Sequence, residues 1–235
     1  MKTSYLLLWL EAPLQAWGAD SKFGRRDSLL FPTKSGVTGL LLCALGASGE
    51  QHELLAELAP LKQTVLSFVR QKENVKCDRE PLLMDFHMVG SGYNDNDQWA
   101  AMHIPKTAEG KKAVGGGTKL TYRYYLQDAR FAVVMEVPAE RADEFTSALQ
   151  APVFDIYLGR KNCAPTDFIF RGAFEDKTKA VETGIEIAKK KGLVEEFRVV
   201  DGEQEGDAFT LNDVPVQFGP VKKYRDRLVT VTQNG

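Results

Sequence analysis

A lysine, a serine and a glycine follow one another at the predicted start of a helix, as Lys34, Ser35 and Gly36. Free backbone N–H groups and the positive end of a helix dipole attract anions, and a glycine lets an anion approach the backbone closely. The triplet therefore suits a phosphate contact. From these residues alone, the favoured interpretation is a capped core helix with Lys34 in water, and other motifs must decide between the two.

The loop after the first predicted strand, residues 11–28, combines aromatic and cationic side chains. It carries Gln15, Trp17, Gly18, Arg25 and Arg26 in a stretch rich in glycine and aspartate. Single-stranded RNA is commonly held by aromatic rings that stack on its bases and by cations at its phosphates. The loop is therefore a candidate RNA-binding surface. In the alternative interpretation, Trp17 fills the edge of the core and both arginines are solvated.

A second dense segment, residues 152–166, places two adjacent cations beside a glycine and a tyrosine. Cations bind phosphates, a tyrosine ring can stack on a base, and glycine permits close backbone approach. An exposed turn with a packed tyrosine is the alternative. The candidate residues here are Tyr157, Gly159, Arg160, Lys161, Asn162, Cys163 and Thr166.

The elements that must position these residues follow from hydrophobic periodicity. The helix that begins near Lys34 is predicted to be capped by Thr33 or Ser35 and to end at Gly46. A strand, this helix, further strands and a second helix, followed by one more strand, match the ferredoxin-like βαββαβ plan, an α+β fold. The predicted strands are 4–10, 64–70, 81–89, 119–127, 129–137, 197–200, 208–211, 214–218 and 228–232, and the other helices are 50–59, 139–150 and 178–191.

Composition excludes several classes of protein. The 235 residues carry a net charge of −2, which argues against bulk electrostatic capture of nucleic acid but allows a local basic groove. The longest apolar runs are too short to span a bilayer, so no membrane partner is expected. Cys43, Cys77 and Cys163 lie far apart without a CxxC pair. This spacing predicts neither a disulfide framework nor a metal site, and it favours a cytoplasmic location.

The segment 90–118 has no periodicity and is rich in glycine. Loops of this length inside a compact domain are usually functional or disordered. Large apolar side chains scattered through it favour an arm that becomes ordered on a partner.

Several segments together resemble the CasD family of the type I-E CRISPR Cascade. The likeness runs in the same order from about residue 4 to 166 and is weak beyond residue 174. It is carried by 13–18 (PLQAWG), 31–41 (FPTKSGVTGLL) and 157–166 (YLGRKNCAPT), with supporting matches at 85–89 (DFHMV) and 122–131 (YRYYLQDARF).

The resemblance implies a ferredoxin-like (RRM-like) domain over residues 1–150, with a protruding β-hairpin thumb at 90–118, and a β-rich part at 151–235 packed on it. It implies a subunit without catalytic activity, cofactor or metal. Such a subunit binds the 5′ handle of the crRNA, caps the complex and kinks the guide at the handle–spacer junction, in antiviral defence. Its partners are the handle, the Cascade large subunit and the repeated backbone subunit. Target DNA is reached only through the guide duplex.

Under this resemblance, phosphate contact at residues 34–36 becomes the favoured interpretation. His87 and Arg123 join the RNA-binding residues, and which thumb residue kinks the guide stays open. The thumb candidates are Tyr93, Trp99, Met102, His103 and Lys106.

The rival hypothesis is a metal-independent endoribonuclease that processes precursor crRNA, as relatives in another CRISPR subtype do. Such cleavage needs a base, an acid and a cation. His87, His103, Tyr93, Lys106 and Arg123 can supply them, but nothing in their spacing brings them together.

Overall fold

The chain folds as a mixed α+β protein around one long antiparallel sheet, as a computed structural model shows. The structure describes residues 2–18, 24–89, 96–99, 107, 109–111 and 119–233. A short 3₁₀ turn, Ala139–Arg141, leads into the third helix. The described helices are α1 (Lys34–Leu45), α2 (His52–Leu58), α3 (Ala142–Gln150) and α4 (Lys177–Lys190).

The strands form one large and one small sheet. They are β1 (Thr3–Glu11), β2 (Leu14–Gln15), β3 (Arg25–Arg26), β4 (Gln63–Lys72), β5 (Val75–Lys76), β6 (Leu83–Val89), β7 (Lys119–Gln127), β8 (Arg130–Pro138), β9 (Phe170–Phe174), β10 (Leu193–Asp201), β11 (Asp207–Gln217) and β12 (Lys223–Gln233). The large sheet has the order β11-β12-β10-β4-β8-β1-β9, with β5 attached to β4. In the small sheet, β7 pairs with β2, β3 and β6.

Helices cover both faces of the large sheet, which explains why β1 is continuously apolar from Leu6 to Leu10. Side chains alternate across a strand. Leu6, Leu8 and Leu10 pack in one core with residues of α1 and α3. Leu7 and Trp9 pack in a second core with residues of α4. The predicted first strand at residues 4–10 is confirmed, and the structure buries it on both faces.

The C-terminal strands extend the same sheet. The prediction of separate strands at 208–211 and 214–218 is wrong, because β11 is one strand whose pairing with β12 shifts register between Asn212 and Val214 and again between Pro215 and Gln217. The residue-150 boundary falls inside one hydrogen-bonded sheet, since β9 pairs with β1 and β10 with β4. The division into two parts stays a prediction.

The strands β6 and β7 form an antiparallel ribbon at the two ends of the predicted thumb. Their register runs from Leu83 opposite Tyr125 to Val89 opposite Lys119. Trp99 is described and is 74% exposed. The other thumb candidates, Tyr93, Met102, His103 and Lys106, lie outside the described residues, so the thumb stays a prediction. Across the described residues, no helix combines the length and apolarity that crossing a bilayer requires.

Candidate functional site

The start and the end of α1 are set by the residues that the sequence singles out. Thr33 has extended backbone geometry, and its Oγ1 accepts a hydrogen bond from the Gly36 N–H at 3.1 Å. Gly46 ends the helix with a φ of 69°, in the left-handed region that glycine adopts without steric cost. The cap at Thr33 and the stop at Gly46 are confirmed.

Lys34 is buried, contrary to the prediction that it contacts phosphate. The residue is only 5% exposed. Its Nζ donates to the carbonyl oxygens of Ala59, at 2.9 Å, and of Leu61. Burial lowers the pKa of Lys34, and the carboxylate of Asp201, 4.0 Å away, opposes that shift. The lysine holds the chain after α2 and is not available to a ligand, so it is removed from the candidate set.

The anion at the start of α1 is supplied by the protein itself. The backbone N–H of Lys34 donates to Asp213 Oδ2 at 2.7 Å. Arg227 binds the same carboxylate through two nitrogens, at 2.6 and 2.8 Å, and also pairs with Asp201. Burial by itself lowers the pKa of Arg227, but these carboxylates outweigh it and raise the pKa overall. The group that occupies the positive end of the helix dipole is thus a side chain of β11.

Trp17 and Gln15 belong to the core and not to an exposed stacking surface. Trp17 is 1% exposed and Gln15 is 0% exposed. The Trp17 Nε1 donates to Gln15 Oε1 at 3.1 Å, and Gln15 Nε2 donates to the carbonyl of Ala129 at 2.7 Å. The prediction that Trp17 stacks on a base is therefore wrong, and the alternative of a tryptophan at the edge of the core is correct.

The loop 157–166 is bound tightly to the loop that contains Trp17. The backbone N–H of Ala16 donates to the carbonyl of Leu158 at 3.1 Å. Gly159 has a φ of 98°, and a Cβ atom on it would lie 1.7 Å from the carbonyl oxygen of Ala16. Only glycine fits here. Its role in this structure is to let two backbone segments meet.

Other members of this loop also anchor it. Arg160 donates to the carbonyls of Tyr124 and Arg26, at 3.0 and 2.9 Å, and its guanidinium lies 4.5 Å from the centre of the Tyr125 ring. Asn162 Nδ2 donates to the Tyr125 hydroxyl, and Thr166 Oγ1 donates to the carbonyl of Glu11. Cys163 is buried, and burial raises the pKa of its thiol.

The three segments singled out in the sequence, residues 34–36, the loop 11–28 and the segment 152–166, nevertheless all contribute to the lining of one cavity of about 880 Å³. It lies between α1, the loop 154–161 and the turn between β11 and β12. Among the residues predicted from the sequence, its lining includes Trp17, Gly18, Ser35, Gly36, Tyr157, Gly159, Arg160 and Lys161.

The turn between β11 and β12 and the segment before Tyr157 contribute lining residues that the sequence analysis missed. Lys222 and Tyr224 come from a basic run, residues 222–227, that the sequence analysis did not place among the candidates. Phe154 is 50% exposed in the same lining. Phe154 lies inside the segment 152–166, so its aromatic type was a usable signal in the sequence. Nothing local to residues 222–224 indicates that they reach α1.

The charge of the lining is mainly positive. Lys161 and Lys222 are exposed, and neither has a hydrogen-bond or ion-pair partner among the residues that the structure describes. The opposing charge in the lining is Asp155, which accepts from the Tyr157 hydroxyl at 3.5 Å. Burial raises the pKa of Tyr224 and of the Cys43 thiol, so both stay protonated near neutral pH. The site can bind an anion and has no activated nucleophile in its described lining.

The remaining candidates lie on the small sheet and not in this cavity. Arg25 pairs with Asp27 at 2.8 Å and lies over the Tyr124 ring. Arg26 is exposed beside β7. His87 and Arg123 lie on the β6–β7 ribbon, where Asp85 stands opposite Arg123. In the part of the chain that the structure describes, no group of three or more His, Cys, Asp or Glu side chains could hold a metal ion.

Comparison with known proteins places this arrangement in a family. The model of the family described as CRISPR-associated protein (Cas_Cas5) matches residues 5–230. The chain belongs to this family. Its resemblance to CasD is confirmed, since it is 32% identical over 186 residues to the CRISPR system Cascade subunit CasD of Escherichia coli (strain K12), a match that covers 76% of this chain and 75% of that protein.

Two solved structures superpose on nearly all of the chain. A chain of a structure titled "CRISPR RNA-guided surveillance complex" has a TM-score of 0.72 and 30% identity, covering 98% of this chain and 90% of that chain. A second structure, titled "Crystal structure of Cas protein", has a TM-score of 0.58 and 24% identity, covering 97% of this chain and 94% of that chain. The second likeness is one of fold alone.

Proposed function

We propose that this protein is a non-catalytic subunit of a type I-E Cascade surveillance complex and binds the 5′ handle of the crRNA. The observation that carries the proposal is the meeting of three distant segments around one cavity lined by two exposed lysines. The relative in Escherichia coli is named as a Cascade subunit, and the solved structure with the TM-score of 0.72 is an RNA-guided complex. Both names support an RNA ligand for the cavity.

The charge balance of the protein agrees with a short RNA segment as the ligand. The net charge of −2 gives no general affinity for nucleic acid. Lys161, Lys222 and the guanidinium of Arg160 concentrate positive charge at one place. Phosphate contacts at such a place give a salt-dependent grip on a few nucleotides. Positive charge confined to one place suits the binding of one end of a guide and not of a long duplex.

The β6–β7 ribbon supports the proposed partners at the capped end of the complex. One face of the ribbon exposes apolar side chains, and the rings of Phe86 and Tyr122 lie 5.3 Å apart on it. Extended apolar surfaces of this kind mark contacts with other macromolecules. We assign this face to the repeated backbone subunit and the segment 90–118 to the thumb that kinks the guide. Under this proposal, the large subunit lies beside the same end, and target DNA is reached only through the guide. The exposed members of the face are Met84, Phe86, Met88, Leu120 and Tyr122.

We also infer the ferredoxin-like plan for the core. The strand order β4-β8-β1-β9, with α1 between β1 and β4 and α3 between β8 and β9, supports this topology. In it, each of these strands runs antiparallel to its neighbours. The strands β10, β11 and β12 then form the β-rich addition, and their turn completes the cavity.

The test removes the two lysines in the assembled complex. The variant Lys161→Gln plus Lys222→Gln, co-expressed with the other subunits and the guide, is expected to retain less guide and to leave its 5′ end open to nuclease. Lys189→Gln plus Lys190→Gln at the end of α4 is the matched control, because both lysines are exposed on the opposite face of the sheet. Normal guide retention and normal 5′ protection in the first variant contradict the RNA-binding role.

A separate measurement tests the absence of catalysis. The purified protein is incubated with repeat RNA and a chelator, and no specific cleavage is expected. Cleavage that is lost in His87→Ala would replace the proposal with the endoribonuclease hypothesis.

A further inference from the structure

Among the residues that the structure describes, no side chain fills an open space beside α1 in the cavity. Gly18 and Gly39 both line the cavity, and a Cβ atom on either would meet no heavy atom within 4 Å among the described residues beyond its own chain neighbours and helix backbone. Gly36 and Gly159 differ from them, because a Cβ atom there would lie 2.8 Å from the Trp17 ring and 1.7 Å from the Ala16 carbonyl. Gly18 and Gly39 therefore leave space in the cavity, whereas Gly36 and Gly159 permit close packing.

Gly39 has no local reason to be glycine. It lies inside α1, and its φ is outside the left-handed region. A glycine in a helix interior weakens the helix relative to alanine. Because neither backbone geometry nor packing requires it, its one structural consequence is a flat stretch of helix that faces the cavity.

The remaining lining has the chemistry of a nucleotide site. Phe154, Tyr157 and Tyr224 bring aromatic rings to the cavity, and Lys161 and Lys222 bring positive charge. The volume of about 880 Å³ falls within the range of about 300 to 1,000 Å³ that is usual for small-molecule pockets. Aromatic rings stack on bases of any sequence, and cations bind the phosphates beside them. A peptide would find few backbone hydrogen-bond partners along a helix face whose N–H and C=O groups are already paired.

We propose that this cavity receives one nucleobase of the bound guide, turned out of its stack, with the base against α1 at Gly39 and the adjoining phosphates near Lys161 and Lys222. This inference rests on the proposed function, since the RNA is the 5′ handle of the crRNA. It adds that the protein holds the handle by inserting a base and not by phosphate contacts alone.

The test combines a filled cavity with a missing base. The full chain is titrated with handle RNA and with a series of the same RNA in which each nucleotide in turn is abasic. For the unmodified protein, one abasic position is expected to weaken binding by about 5- to 100-fold, the range that stacking of one base on aromatic side chains supplies. Gly39→Leu is expected to weaken binding of intact RNA by a similar factor. Gly39→Leu should bind that abasic RNA no more weakly than it binds intact RNA, because the substitution and the missing base remove the same contact.

A matched control separates cavity filling from the general effect of a new leucine. Ala56→Leu places the same side chain on an exposed position of α2, outside the cavity, and is expected to bind every RNA as the unmodified protein does. Thermal unfolding confirms that both variants are folded.

The outcomes distinguish the two proposals. If Gly39→Leu is folded and binds intact RNA with unchanged affinity, or if no abasic position matters, base insertion is wrong while handle binding stands. If the unmodified protein does not bind intact handle RNA, the proposed function itself fails, and base insertion fails with it.

Discussion

The indole ring of Trp17 packs so closely on the first turn of α1 that a Cβ atom on Gly36 would lie 2.8 Å from its Cε3 atom. A ring that is 1% exposed cannot move away without opening the core. Gly36→Ala is therefore expected to lower the free energy of unfolding by about 1 to 3 kcal/mol, the usual cost of overpacking. Urea unfolding measures this difference. An unchanged midpoint would show that the ring and the helix adjust freely.

Gly39→Ala on the same helix is expected to have the opposite effect. A Cβ atom there meets no heavy atom within 4 Å in the described part of the chain outside its own helix backbone, so only helix propensity changes, by up to about 1 kcal/mol in favour of alanine. The same urea experiment compares the two variants. A loss of stability in Gly39→Ala would mean that the helix face at the cavity is more crowded than the structure shows.

Substitution of Lys34 should lower stability, whereas substitution of Lys161 should weaken RNA binding. Lys34→Met removes the donor to the carbonyls of Ala59 and Leu61, and is expected to cost about 1 to 3 kcal/mol of stability because buried acceptors lose their partner. The RNA affinity of the folded fraction should not change. Lys161→Met is expected to leave stability within about 0.5 kcal/mol and to weaken RNA binding. Thermal melts and RNA titrations of both variants test the assignment, and the reverse pattern would contradict it.

Stability should fall in acid through the ion pairs of Lys191. Burial by itself raises the pKa of Glu11 and of Asp167, but hydrogen bonds from Lys191 and neighbouring groups outweigh it and lower both pKa values below 4.5 and 3.8. A carboxylate with a lower pKa in the folded state stabilises the protein above its unfolded pKa and loses that contribution as pH falls through the folded value.

The expected size of this contribution is about 0.2 to 1 kcal/mol per pair, since the groups are partly solvated. Lys191→Met should be less stable than the unmodified protein at pH 7, and the difference should shrink as pH falls below about 4.5. Lys190→Met serves as a control on a neighbouring exposed lysine. A difference that stays constant from pH 7 to acid would mean that these pairs do not titrate with folding.

The salt dependence of RNA binding should report the number of phosphate contacts. For single-stranded nucleic acid, each phosphate contact adds about 0.7 to the slope of log K against log salt. Lys161→Gln and Lys222→Gln are each expected to reduce the slope by about that amount, with equal effects on RNAs of different sequence. Titration at several salt concentrations measures it. A slope unchanged in both variants would assign the phosphates to other residues.

The elements with strong periodicity were predictable from the sequence, and the burial of single polar residues was not. The cap at Thr33 and the stop at Gly46 depend on neighbours in the chain, so local patterns predict them. The burial of the Lys34 side chain depends on the carbonyls of Ala59 and Leu61, and its backbone N–H binds Asp213, which lies 179 residues away in sequence.

The candidate cavity shows the same limit. Ser35, Tyr157 and Lys161 were identified because their types and local spacing suit a phosphate or a base. Lys222 and Tyr224 were not, because only the pairing of β11 with β12 brings them to α1. Trp17 was misplaced for a related reason, since exposure of an aromatic residue in a loop is decided by distant backbone that packs against it.

The hydrogen bond between the Lys34 N–H, in the first turn of α1, and Asp213 of β11 can form only after β11 has been synthesised. During synthesis, α1 leaves the ribosome long before β11 and β12, so the pocket lacks one wall until almost the whole chain has been translated. A prematurely released polypeptide would carry the glycine-lined helix without the lysine and tyrosine that face it. Under the proposed function, we expect only finished molecules to capture a transcript, so that incomplete translation products do not compete for guides.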